Sequence, residues 1–156
     1  MYEAKLQKLG ISLPATPTPA GAYVAAVAAG GFVYTAGQVP FVDGKIAYAG
    51  KVGADLDKTE AYQAARVCAL NCLSAIKAVI GSLDEIEQVV KVNGFVNSAA
   101  GFTEQPAVVN GASDLLGEIF GEAGRHARAA IGVGELPLNA AVELEMIVKT
   151  KPRAAG

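Results

Sequence analysis

The chain has 156 residues, 52% of them apolar, and a net charge of −2. Such a chain can bury the core of one domain and is too apolar for intrinsic disorder, while no uninterrupted apolar run approaches the roughly 20 residues of a membrane span. Its Lys and Arg residues are scattered and locally clustered only between Lys149 and Arg153, which weighs against a groove for nucleic-acid phosphates.

Residues 1–20 read as a short helix over 2–9, stopped by Gly10, and then an extended arm. Pro14, Pro17 and Pro19 forbid regular structure in that arm. The opening Met1-Tyr2-Glu3-Ala4-Lys5-Leu6 lacks the apolar core of a signal peptide, so the expected compartment is cytoplasmic. Residues 23–27 and 32–36 read as a β-hairpin turning near Gly30 and Gly31. Asp43-Gly44 marks a second tight turn, with a third strand over 45–48. Asp57-Lys58-Thr59-Glu60 has the form of a capping box. The helix it opens carries the stripe Ala61, Ala65, Cys68, Cys72, Ile76 and Val79 and stops at Gly81. On that helix the two cysteines would hold their Cβ atoms about 6 Å apart, too far for a disulfide. With His126 as the one histidine they form no zinc set, so they read as buried core thiols.

Residues 88–96, rich in Val and Phe, read as a strand. A helix follows over 105–120, with Val108, Ala112, Leu115, Leu116 and Ile119 on its stripe and Gly121 after it. Two strands close the chain, over 128–133 and 140–149, joined through Leu136-Pro137, and 151–156 form a tail. This order predicts a single α+β domain over 21–150, a mostly antiparallel sheet with two helices on one face. Parity puts Val142, Leu144, Met146 and Val148 toward the helices and Glu143 and Glu145 away from them. Ile131 and Val133 are likewise expected to face the helices. Arg128, Ala130 and Gly132 would then share the opposite face with the two glutamates. The small residues Ala130, Gly132 and Ala141 on that face suggest close approach by another chain.

The stretch Gly124-Arg125-His126-Ala127-Arg128-Ala129-Ala130-Ile131-Gly132-Val133, followed by Leu136-Pro137 and Val142-Glu143-Leu144-Glu145, resembles the closing signature of the RidA/YjgF family. These are the reactive imine/enamine deaminases. Tyr23-Val24 and Thr35-Ala36-Gly37-Gln38-Val39-Pro40 resemble the family's opening hairpin, and Asn110 a helix position that it uses. The resemblance runs from about residue 20 to residue 150. The N-terminal helix and the Arg125-His126 pair are extra, as in a divergent branch. The family's frequent Ser and Cys are here Ala36 and Ala130.

The resemblance implies a chorismate-mutase-like homotrimer with sites between subunits. It implies hydrolysis of 2-imino or 2-enamino acids to 2-keto acids and ammonia, without metal or organic cofactor. By the same resemblance Arg128 binds the substrate carboxylate, Glu143 positions a water and Tyr23 lines the cleft. Gly37 and Ala130 offer backbone groups, and Asn110 joins the binding set. His126 is a candidate accessory residue, or a structural hydrogen-bonder. The chemistry is consistent with these residue types, since a guanidinium meets a carboxylate in a planar, two-pronged contact and a carboxylate can accept a proton from water. Two other functions fit the same family: a non-catalytic trimer that binds a small carboxylate metabolite, and an endoribonuclease or translation inhibitor.

Overall fold

The computed structural model describes residues 1–154. Ten regular elements follow one another: α1 (Tyr2–Lys8), β1 (Ala26–Ala29), β2 (Phe32–Thr35), β3 (Phe41–Val42), β4 (Lys45–Ile46), α2 (Lys58–Ile80), β5 (Ile86–Asn97), α3 (Gln105–Phe120), β6 (Ala127–Val133) and β7 (Val142–Thr150). Five strands form one sheet in the order β1-β2-β7-β5-β6, and β3 and β4 make a separate two-stranded ribbon. Among these strands only the β5–β6 pair is parallel, because α3 carries the chain back between them. The expected third strand therefore exists but stays out of the main sheet.

Local chemistry explains the helix ends. Asp57 accepts a hydrogen bond from the Glu60 amide at 2.8 Å, and the Glu60 carboxylate accepts one from the Asp57 amide at 2.9 Å. This is the expected capping box, and Gly81 at φ 89° ends the helix. Helix α2 is apolar and long enough to cross a bilayer, but its apolar face is buried in the domain's core. There Cys68 and Cys72 are fully buried free thiols. Their Sγ atoms lie 3.5 and 3.4 Å from the carbonyls of Val142 and Leu144, and burial pushes the Cys72 thiol up to about 12. The N-terminal helix is a third packed helix. Leu6 is buried, and the Tyr2 and Phe120 rings meet edge to face at 4.6 Å.

The sheet's inner face follows the expected parity in β7, where Val142, Leu144, Met146 and Val148 are all buried beneath the helices. In β6 the expectation is inverted. Arg128 lies opposite the buried Val92, Ala130 opposite Gly94, and Gly132 opposite the buried Val96, so all three face the helices. Ile131, paired with Phe95, faces away and is 48% exposed. The reason is steric. A methyl added to Gly94 would meet Val109 at 2.5 Å, and one added to Gly132 would meet Gln105 at 2.7 Å and Ser98 at 2.9 Å. The chain's own α3 comes so close that only small residues fit beneath it. Their smallness answers to that helix.

Glycines in α3 give a direct test of this packing. A Cβ on Gly111 would collide with the Tyr62 carbonyl of α2, whereas one on Gly117 would meet nothing within 4 Å. Alanine is the better helix former by about 1 kcal/mol. In urea denaturation, Gly117→Ala should therefore stabilise the fold by up to about 1 kcal/mol. Gly111→Ala should destabilise it by about 1–3 kcal/mol. Equal effects of the two changes would contradict the close helix contact.

Candidate functional site

Two groups of polar side chains stand out, one on each face of the sheet. The first is built on α3 and the start of β6. Pro106, Asn110 and Ser113 are spaced at i, i+4 and i+7, so they share one face of α3 beside Arg128. Arg128 Nη1 donates to Asn110 Oδ1 at 2.7 Å and to Ser113 Oγ at 3.1 Å, and Nη2 donates to the Pro106 carbonyl at 3.3 Å. Those three bonds use three of the guanidinium's five N–H donors. Nε–H and one Nη2–H have no partner among the described residues.

Charge sets Arg128 apart from the arginines near it. Arg66 pairs with Glu118 at 3.4 Å and Arg125 with Glu122 at 3.8 Å. Arg128 is partly buried, yet it touches only neutral oxygens and has no carboxylate within 4 Å among the described residues. Beside it, His126 Nδ1 lies 2.6 Å from the Gly124 carbonyl, and its Nε2 lies 2.9 Å from Ser113 Oγ. These side chains border a shallow hollow of about 310 Å³ that also takes in Gly117, Gly124 and Arg125.

The second group sits on the open face of the sheet. Glu143 lies opposite Phe95, and Glu145 opposite Asn93, whose Nδ2 donates to Glu145 Oε1 at 3.0 Å. Gly37 comes against the Glu143 carboxylate so closely that a side chain there would displace it. The segment is pinned by reciprocal backbone bonds between Gln38 and Leu144 at 2.8 and 2.9 Å. Burial, and then the like charge of Glu145, raise the Glu143 carboxyl above the ordinary carboxylate range. Tyr23 stands 54% exposed in the loop before β1. Val27, Tyr34 and Ile131, each about half exposed, add an apolar surface to the same open face.

Arg128, Asn110 and His126 thus come together through Ser113, a residue not singled out in the sequence. Glu143 and Gly37 come together separately. The expectation that Arg128 shares a face with Glu143 and Glu145 is overturned, because β6 presents Arg128 to α3. Ala130 is partly buried against the core opposite Gly94, and β6 is an edge strand, so one side of its backbone has no ladder partner among the described residues. Among the described residues no group of three or more His, Cys, Asp or Glu is arranged to hold a metal ion.

A family model described as YjgF/chorismate_mutase-like, a description that also carries the term endoribonuclease, matches residues 3–149. Protein TCP17 of Trypanosoma cruzi is 50% identical to this chain, over 94% of it and 92% of TCP17. A 2-iminobutanoate/2-iminopropanoate deaminase of Dermatophagoides farinae is 35% identical over 88% of this chain and 93% of its own length. The crystal structure of a protein of unknown function from Agrobacterium tumefaciens superposes with a TM-score of 0.89 at 45% identity, covering 96% of this chain and 93% of that one.

The raised Glu143 carboxyl has a consequence for stability. A carboxyl whose value is raised by folding favours the folded state below its ordinary range and loses that contribution as pH rises through the raised value. Glu143→Gln removes the titration. In thermal unfolding without ligand, the variant should gain on the parent chain as pH rises from 4 to 8. A constant difference across that range would show that Glu143 is not strained by burial and by Glu145.

Proposed function

This chain belongs to the YjgF/RidA family, and from that premise we propose that it hydrolyses reactive 2-imino and 2-enamino acids to 2-keto acids and ammonia, in clefts between the subunits of a homotrimer. The observation that carries the proposal is Arg128. Its guanidinium is held on three sides by neutral oxygens, has no carboxylate partner among the described residues, and keeps two donors free for an incoming carboxylate. The relative named a 2-iminobutanoate/2-iminopropanoate deaminase supports the choice of reaction.

The geometry also supports a site shared by two chains. Arg128 lies on the helix side of β6 at the sheet's edge, and Glu143 lies on the open face of β7. One chain cannot turn both toward one small molecule across its own sheet. A cleft holding both needs the edge of one subunit against the open face of the next. That open face is apolar around its carboxylates, as a subunit contact requires.

In such a cleft the substrate carboxylate bridges the two free donors of Arg128. The iminium carbon is already electrophilic, so catalysis is mainly a matter of placing water beside it. Glu143 accepts a proton as the water oxygen bonds to that carbon, giving a carbinolamine. Glu143 returns the proton to nitrogen, and as the C–N bond breaks it takes up the hydroxyl proton, leaving the keto acid, and passes that proton to the departing ammonia. The net change is iminium plus water to ketone plus ammonium, and Glu143 ends as the carboxylate it began. A raised carboxyl value suits Glu143 to this work, since a stronger base accepts the proton more readily.

The test is turnover of 2-iminopropanoate generated in the assay, followed as release of pyruvate. Arg128→Ala should lower kcat/KM by roughly thirty-fold to a thousand-fold, the loss of a charge-assisted two-pronged contact of about 2–4 kcal/mol. Arg128→Lys should recover only part, because an ammonium lacks the fork. Glu143→Gln should still bind pyruvate while hydrolysing slowly. Tight pyruvate binding with no turnover by the parent protein would make it a carboxylate-binding module, and full turnover by Arg128→Ala would end the proposal.

A further inference from the structure

The family resemblance leaves Ser113 unassigned and His126 without a settled role, yet both belong to one hydrogen-bonded chain that ends on Arg128. We infer that Ser113 and His126 are positioning residues that hold the Arg128 guanidinium in its ligand-binding orientation, an inference that rests on the proposed role of Arg128.

The direction of each bond follows from counting donors and acceptors. The Gly124 carbonyl can only accept, so His126 Nδ1, 2.6 Å away, carries the proton. In the neutral ring Nε2 is then an acceptor, and the Ser113 hydroxyl donates to it across 2.9 Å. With its hydrogen directed at the imidazole, Ser113 Oγ turns its lone pairs to Arg128 Nη1 at 3.1 Å. Asn110 Oδ1 takes the other Nη1 hydrogen at 2.7 Å. Both donors of Nη1 are thereby occupied, and the plane of the guanidinium is fixed.

Fixing that plane matters because a carboxylate is met by two parallel N–H bonds, and a rotated guanidinium offers only one. Without the imidazole acceptor, the Ser113 hydroxyl is free to rotate and point its hydrogen at Arg128. The local backbone serves the same end. A Cβ on Gly124 would collide with the Leu116 carbonyl, so glycine there lets the turn before β6 lie on α3 and presents its carbonyl to His126.

The experiment measures pyruvate affinity by calorimetry and imine turnover in parallel. Ser113→Ala should weaken pyruvate about tenfold and raise KM similarly, with the loss falling on binding rather than kcat. Ser113→Thr, which keeps the hydroxyl, should restore most of it. His126→Gln, which can place an amide oxygen near the Nε2 position, should outperform His126→Phe. In the Arg128→Ala background Ser113→Ala should add nothing, since a residue acting through Arg128 has nothing left to orient. Additive losses, or normal pyruvate affinity in both Ser113→Ala and His126→Phe, would overturn the inference. Should Arg128→Ala itself bind pyruvate normally, the reading of the cleft fails first, a result distinct from failure of Ser113 and His126 alone.

Discussion

The parallel pairing of β5 with β6 fixes the rest of this molecule. Its register sets Arg128 opposite Val92 and Ile131 opposite Phe95. The cation is thereby turned to α3 and the aliphatic side chain to the open face. From that one choice follow the capture of Arg128 by Asn110, Ser113 and Pro106, the small residues at Gly94, Ala130 and Gly132, and the separation of the cation from Glu143. A shift of one residue in this pairing would reverse every side chain in β6 and place an unpaired arginine on the apolar face.

Separation of the two charged groups sets the terms on which the chain can act. A partly buried guanidinium without a counter-ion is costly unless hydrogen bonds or a ligand offset it. Three neutral oxygens meet part of that demand, and a substrate carboxylate would meet the remainder. On the other face Glu143 is raised by burial and by Glu145, a strained carboxylate waiting for a proton. The two groups do not meet within one chain, which is why the proposed function joins assembly to catalysis.

Much of the fold was legible from local chemistry. The Asp57–Glu60 capping box, the stop at Gly81 and the bounds of α3 depend on residues close in sequence, and they stand as read. The facing of β6 was not legible. Alternating Ile131 and Val133 suggest a buried side, but here the helix leaves room only for Ala130 and Gly132 beneath it, while Ile131 is exposed in the single chain. When both faces of a strand can be covered, one by its own helix and one by a neighbour, hydrophobic parity loses its direction. Ser113 was missed because a lone serine within a helix carries no signal. The polar stripe Pro106, Asn110 and Ser113 on one face of α3 could have pointed to it, given Arg128 as its destination.

Mixed assembly of two inactive variants tests the central claim most directly. Arg128→Ala and Glu143→Gln chains, unfolded together and refolded at equal amounts, should form trimers in which some clefts combine an intact Arg128 from one chain with an intact Glu143 from the next. Random mixing in a cyclic trimer puts both intact residues in about one cleft in four, so activity should return to roughly a quarter of the parent value. Recovery to that level, from variants each nearly inactive alone, is the predicted result. Mixed trimers no more active than the separate variants would contradict a site shared between two chains.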